Sequence, residues 1–522
     1  MNFQVLSVLT AKESDCSEAN TAYLTIDHWN DFSFVTQFHL CLRDGNDILH
    51  DIGKVKIGFL KQTEEVPTYS NIKECFTNLS QDYFSLGQDI EYYQNISKLP
   101  TKVKDELLMS LNDIVSTPSL IENAKNENVF RTSLLRDVSL SIIKGQFRRV
   151  LDGQAPLTDY KFSFKRSETN TRTSKIALKF KITPNSKPST NIHAIIGRNG
   201  VGKTTLLNNM IGAITNKEAT THQFVDLDHW SSESPISADY FSSLVSVSFS
   251  AFDPFTPPKE QADPSKGTCY SYIGLKDREQ EGALLNEKDL RKECVGALIK
   301  CFQNKSKTKR WHAAIQKLSS DMNFESMGLP ILEEKFGNLQ DLDPESLNKS
   351  YLEIVEPYLE RMSSGHTIVL LTITRLVATV EEKTFILLDE PESHLHPPLL
   401  SAFIRALSDL LYDRNGVAII ATHSPVVLQE VPKSCVWKIN RSGVSMKSTR
   451  PDIETFGENV GALTRDVFGL EVSKSGFHDI LAESVNKGDS YEEVLNAYNE
   501  QLGIEGRMLL KALVENRDRG TP

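Results

Sequence analysis

The run Gly197-Arg198-Asn199-Gly200-Val201-Gly202-Lys203-Thr204 has the residue types and spacing of a phosphate cradle. Such a loop must turn tightly enough for successive backbone N–H groups to point at an anion, and Gly197, Gly200 and Gly202 fall where the backbone turns left-handed or approaches the ligand closely. Lys203 is expected to reach the outer phosphates and the Thr204 hydroxyl to ligate Mg²⁺. The helix beginning at Thr204–Thr205 turns its positive end toward the anion. Downstream, Asp389 and Glu390 stand side by side in Ile386-Leu387-Leu388-Asp389-Glu390-Pro391-Glu392-Ser393-His394-Leu395-His396-Pro397. Asp389 offers Mg²⁺ a hard carboxylate oxygen, and Glu390 is suited to polarise an attacking water. A third group, His423 in Thr422-His423-Ser424-Pro425, could hold that water or donate to a γ-phosphate, although a lone histidine at such a place is more often structural. The chemistry written in these residues is nucleotide hydrolysis.

Each group needs an element to position it. Ile192–Ile196 is a short buried strand leading into the glycine loop, and Thr205–Met210 is the start of the helix leaving it. Thr384–Leu388 is an apolar, β-prone run, so Asp389 belongs at the carboxyl edge of a parallel sheet, where ligands bind in open α/β folds. Gly416–Ala421 forms a third strand carrying His423 at its tip. Ser363, Ser364 and Gly365 precede the apolar run Thr367–Leu371 and are placed to cap its helix, whose free N–H groups would face an anion.

With these motifs in place the chain resembles the ATP-binding-cassette class of ATPases, in the non-transport branch that includes the SMC, RecF and OLD-like heads. The resemblance implies an α/β fold, a mixed sheet with flanking helices around a P-loop, with helical insertions and a helical C-terminal region. It also implies ATP and Mg²⁺ as ligands. In that class a serine–glycine signature contacts the γ-phosphate bound by the partner subunit, so ATP closes two heads face to face; Ser363 and Gly365 match it, whereas Ser364 and His366 depart from the transporter form. A plain helix cap is the other reading of the same serines. The class also expects a glutamine after the strand Val245–Phe252, and Ser248 and Ser250 stand there instead. His394 and His396 are of metal-ligating type, but no matching cysteine or carboxylate cluster is visible, which favours a phosphate- or interface-facing loop.

The resemblance divides the chain into residues 1–155, a β-hairpin plus a helical region; 156–255, the first ATPase lobe; 256–357, a helical insertion; 358–450, the second lobe; and 451–522, a helical end. The hairpin is read from alternation in Phe32–Phe38 and Ile52–Phe59 around a turn at Asp44–Asp47, and the helical stretch from Ile72 to Val150 has Val103, Leu107, Leu108, Leu111 and Ile114 on one face. Either this hairpin joins the layer of antiparallel strands that precedes the P-loop in such heads, or it belongs to an independent domain. Strands return at Tyr160–Lys165 and Ile176–Ile182, an edge strand at Tyr270–Leu275, a helix at Glu287–Gln303, a last hairpin around Arg441–Gly443 and a helical tail at Tyr491–Glu515.

Composition narrows the partners. A net charge of −11 excludes a chain coated for nucleic acid, and seven cysteines without a C-x-x-C pair read as reduced thiols of a cytoplasmic protein. No membrane segment is expected, because the longest apolar helix, Thr367–Val380, is too short and contains Arg375. The most basic run, Lys305–His312 with Trp311, reads as a solvated helix face, with a nucleic-acid contact as the alternative. After His423 the D-x-D spacing of a TOPRIM nuclease is missing, and no H-N-H cluster is found. An ATPase head of this kind without its own nuclease is similar to the PtuA-type subunits of the Septu and retron antiphage systems. That likeness implies a homo-oligomer, a head-to-head dimer or higher, working with a separate HNH nuclease; a RecF-like ATPase acting directly on DNA is the alternative.

Overall fold

The computed structural model describes residues 1–522 except 8–17, 29, 32, 137, 139–142, 155, 168–174, 217–220, 228–233, 238–239, 251–254, 263–267, 278–282, 340–341, 444, 473–475, 487 and 521–522. Phe32, Ala251, Phe252 and Cys16, which figure in the sequence reading, lie outside the described residues. The chain separates into two compact units, Met1–Thr158 and Asp159–Pro522.

The first unit has its own sheet and core. Strands β1 (Asn2–Leu6), β2 (Thr21–Ile26), β3 (Gln37–Arg43), β4 (Leu49–Phe59), β5 (Cys75–Phe76) and β6 (Tyr83–Gly87) are ordered β5-β1-β2-β3-β4-β6. The expected β3–β4 hairpin forms because the Asp44 carboxylate accepts the N–H groups of Asn46 and Ile48, both at 2.9 Å, closing the turn from its side chain. Phe38, Leu40, Val55 and Ile57 point into a core completed by Tyr92, Tyr93, Leu107, Leu111 and Ile114. The stretch read as helical from Ile72 is interrupted by β5 and β6: β6 pairs antiparallel with β4 from Val55–Gly87 to Phe59–Tyr83. Five residues carry too little periodicity to betray a strand whose stability comes from a partner elsewhere in the chain.

The second unit contains β7 (Tyr160–Arg166), β8 (Ile176–Ile182), β9 (Ile192–Ile196), β10 (His222–Asp226), β11 (Ser234–Pro235), β12 (Ser243–Ser248), β13 (Cys269–Gly274), β14 (Thr384–Asp389), β15 (Val417–Thr422), β16 (Val436–Ser442) and β17 (Ser445–Thr449). An antiparallel four-stranded sheet, β11-β10-β7-β8, packs against a seven-stranded sheet ordered β13-β12-β14-β15-β9-β16-β17. The larger sheet is parallel from β13 to β16, and β9, β14 and β15 are buried on both faces, which explains their unbroken apolar runs. The antiparallel layer is thus built within this unit, while β3 and β4 belong to the sheet of the first.

On the other face of the larger sheet, helices Glu287–Phe302, Lys305–Leu318, Pro344–Glu360, Ser364–Thr379 and Pro397–Asp413 share one hydrophobic core with its strands. The basic run lies on the helix Lys305–Leu318, started by Asn304, whose side chain accepts the N–H groups of Ser306 and Lys307. Trp311 is fully buried, its indole N–H donating to Thr374 Oγ1 at 3.0 Å, so its ring is not available to stack on a base. Lys307 is held by the Ala378 carbonyl and Glu381, both at 2.7 Å, and Arg310 lies 3.5 Å from Asp413. Lys305 and Lys309 remain exposed. Beyond the kinked helix Val460–Val472, the tail folds as helices Phe477–Asn486, Tyr491–Ala497 and Ile504–Asp518 around Leu481, Val485, Val494, Leu510 and Val514. No helix among the described residues is long and apolar enough to cross a membrane.

His193, in the strand that feeds the glycine loop, is wholly buried with its ring edge-on to Phe180 at 5.2 Å. Burial, aided by the nearby Arg450 guanidinium, pushes its pKa down to about 3. The folded state therefore keeps it neutral while the unfolded chain protonates it near pH 6.5, so its contribution is complete above that pH and is lost as pH falls toward 3. At pH 5 the loss is on the order of 2 kcal/mol. Replacing His193 with Phe is expected to flatten the fall in thermal midpoint between pH 7 and pH 5; an unchanged fall would place the acid sensitivity elsewhere.

Candidate nucleotide-binding site

Because β14, β15 and β9 are neighbours in register, their carboxyl ends meet at one edge of the sheet: Asp389 stands opposite Ala421, and Thr422 opposite Ile196. From Ile196 the chain enters the loop Gly197–Gly202 and then the helix Lys203–Thr215. Its glycines serve different needs. Gly200 and Gly202 have φ of 79° and 98°, which a side chain would strain. Gly197 is short of room instead, since a Cβ there would come within 2.4 Å of the Ile439 carbonyl oxygen on β16. Val201 is buried and anchors the loop, whereas Asn199 and Thr205 are exposed.

Lys203 is buried at 4% side-chain exposure and folds back into the loop, donating to the carbonyls of Gly197 at 3.0 Å and Arg198 at 3.1 Å. Its ammonium also lies 3.7 Å from Glu390 Oε1. Thr204 Oγ1 donates to Asp389 Oδ2 at 2.7 Å. Adjacent ligands of an octahedral Mg²⁺, each about 2.1 Å from the ion, stand about 3 Å apart, so this hydroxyl and carboxylate fit a shared Mg²⁺ with little movement.

Glu390 adopts a left-handed conformation, φ 47° and ψ 57°, uncommon for a residue with a side chain. Its N–H donates to the Ala421 carbonyl at 2.9 Å, and its carboxylate is turned toward Lys203 and toward His423 Nδ1, 3.6 Å away. Backbone strain at such a spot is characteristic of positions where orientation matters more than local comfort. Glu392 has a place the sequence reading did not assign. Its side chain is 7% exposed, and Oε1 accepts Thr422 Oγ1 at 2.6 Å and the His423 N–H at 2.7 Å, with His423 Nδ1 at 3.2 Å. Glu392 therefore fixes the backbone at His423. The available signal was an acidic residue two positions beyond Glu390, but its meaning depends on the neighbouring strand.

At the position where the glutamine was expected, Ser248 ends β12 beside Asp389. Its hydroxyl is buried without a hydrogen-bond partner among the described residues, next to a small cavity lined by Asn208, Ser246, Tyr272 and Asp389.

Ser363, Ser364 and Gly365 join a second cluster. Ser363 caps the helix Ser364–Thr379, accepting the His366 N–H at 3.4 Å, and both serines are exposed. Gly365 is crossed closely by the loop that follows Glu390: a Cβ would lie 2.3 Å from the His394 carbonyl oxygen. The carboxylate that sequence reading could not find for His396 comes from Asp321 in the insertion, whose Oδ2 lies 3.1 Å from His396 Nε2 and whose Oδ1 lies 3.1 Å from His366 Nε2.

Fold and site define a P-loop ATPase head. The chain belongs to the family of protein ea59 of Escherichia phage lambda, to which it is 55% identical over 509 residues, 96% of each chain. Residues 319–429, from the insertion through Asp389 to His423, match the family described as "AAA domain, putative AbiEii toxin, Type IV TA system". Among solved structures it is similar to an ATP-binding cassette of an ABC transporter in its ADP conformation, 12% identical, covering 60% of this chain and 99% of that one with a TM-score of 0.29. UvrA2 from Deinococcus radiodurans is 14% identical, over 62% of this chain and 42% of that one, with a TM-score of 0.31.

Replacing Glu392 with Ala strands the Thr422 hydroxyl and the His423 N–H, and is expected to cost about 1–3 kcal/mol. Gln at 392 retains the accepting oxygen and should cost much less. Thermal unfolding of both variants distinguishes them, and equal losses would refute the hydrogen-bonding role.

Proposed function

We propose that this chain binds and hydrolyses ATP at a site shared by two paired heads and uses the cycle to restrain and release a separate effector, a nuclease of HNH type, in an antiphage complex. The observation that carries the ATPase reading is the meeting of Lys203, Thr204, Asp389, Glu390 and His423 at one sheet edge. The loop N–H groups and Lys203 would bind the phosphates. Mg²⁺, held by Thr204 and Asp389, would supply neutralising charge to them. As Lys203 turns from the loop carbonyls to the phosphates it leaves Glu390, whose carboxylate is then free to take a proton from the attacking water. The water oxygen bonds to the γ-phosphorus, the bond to the bridging oxygen breaks, and ADP departs. His423, its backbone held by Glu392, would donate to the γ-phosphate.

The exposed Ser363 and Ser364 support pairing, because the start of the helix Ser364–Thr379 can turn N–H groups and the Ser364 hydroxyl to the nucleotide of a second head. Two features favour conflict between phage and host as the setting: a relative encoded by phage lambda and a matching family described by a toxin. Direct action on DNA has less support, since Trp311 is buried and Lys307 and Arg310 have partners within the chain.

Glu390→Gln is expected to keep ATP binding, accumulate ATP-bound pairs in size-exclusion chromatography with light scattering, and lower turnover about 100-fold or more. Lys203→Ala is expected to weaken binding itself. Undiminished hydrolysis in Glu390→Gln would remove Glu390 as the base. DNA-stimulated hydrolysis by the isolated chain, abolished by neutralising Lys305 and Lys309, would favour the DNA-acting alternative. Phage protection with and without the neighbouring genes tests the effector.

A further inference from the structure

Asp321, His366 and His396 come from three separate stretches: the start of a short insertion helix, the first turn of the helix behind the serine–glycine pair, and the end of the loop that follows Glu390. Their donor atoms all lie within 4.8 Å of one another. We propose that they form a binding site for a divalent transition-metal ion of the Zn²⁺ class, separate from the Mg²⁺ position at Thr204 and Asp389.

Three features favour a metal. The first is donor spacing. Donors about 2.0–2.1 Å from a tetrahedral ion lie about 3.3 Å apart; His366 Nε2 and His396 Nε2 are each 3.1 Å from Oδ1 and Oδ2 of Asp321 respectively, and one donor from each residue falls within 4.8 Å of the others, so the side chains need close in by no more than about 1.5 Å to share an ion. The second is orientation. His366 Nδ1 is engaged by Ser363 Oγ at 2.6 Å, which fixes the ring with Nε2 turned toward Asp321. Asp321 is fixed in turn by the Phe324 N–H at 3.0 Å. Hydrogen bonds of this kind behind the ligands are what orient metal-bound histidines and carboxylates. The third is access: Asp321 and His366 side chains are 10% and 11% exposed, while His396 is 47% exposed, so one side of the site is open to water or to a fourth donor. Two imidazoles and one carboxylate suit Zn²⁺, Co²⁺ or Ni²⁺ far better than Mg²⁺ or Ca²⁺, which prefer oxygen.

The site would fasten the serine–glycine turn to the loop that carries Glu390. It would also explain why the signature departs from the transporter form at His366.

The test uses full-length protein, stripped of metal and free of nucleotide, so that its outcome does not depend on the ATPase reading. Titration with Co²⁺, followed by its visible d–d absorption, and with Zn²⁺ by calorimetry, is expected to show one saturable equivalent per chain. His396→Gln, at an exposed position, and His366→Gln are each expected to weaken that binding tenfold or more. His39→Gln, which alters a His39, Cys41 and Asp51 group in the first unit, should leave it unchanged. Circular dichroism confirms that each variant is folded. The proposal is overturned if wild-type protein shows no saturable binding, if His396→Gln and His366→Gln both titrate like wild type, or if His39→Gln alone removes the signal.

Discussion

Parallel pairing of β14, β15 and β9 is the constraint on which the second unit depends. All three strands are buried on both faces, so each hydrogen-bonds along its length and none can slide without turning its apolar side chains out of register. That register fixes where the strands end, and the ends fix everything else. Thr204 reaches Asp389 across the width of β15 because the tight loop Gly197–Gly202 brings the start of the helix Lys203–Thr215 back to the end of β9. His423 stands between the two because its strand does.

Beyond the sheet edge, precision passes from backbone to side chains. The left-handed turn at Glu390 is held by one hydrogen bond to Ala421, and Glu392 two residues later takes two donors from the tip of β15. A carboxylate that accepts from a neighbouring strand ties the loop to the sheet while leaving the preceding carboxylate facing the phosphate loop. The nucleotide edge and the serine–glycine turn are thereby connected through one short loop, whose near end leaves β14 and is tied to the tip of β15, and whose far end packs against Gly365 and shares Asp321 with His366.

Much of the site's placement was legible because it is local. A glycine loop between an apolar strand and a helix, and a carboxylate pair at the end of an apolar run, are patterns complete within a few residues, and the strands Ile192–Ile196 and Thr384–Asp389 lie where those patterns put them. What escaped was the non-local part. Strand β6 exists by pairing with β4, Glu392 acquires its partners from a strand 30 and 31 residues away, and Asp321 meets His366 across 45 residues. The basic run is a helix face as its composition implies, with Lys305 and Lys309 in solvent, but its aromatic and two of its cations have partners that composition does not reveal.

The close approach at Gly365 has a consequence for how such a protein can change over time. With the His394 carbonyl oxygen where a methyl group would sit, the helix and the loop touch backbone to backbone, and neither can accept a bulkier neighbour alone. Drift in one stretch must be answered in the other. Substitutions in residues 363–366 and 390–396 are therefore coupled, although the 23 positions 367–389 separate the two stretches in the chain.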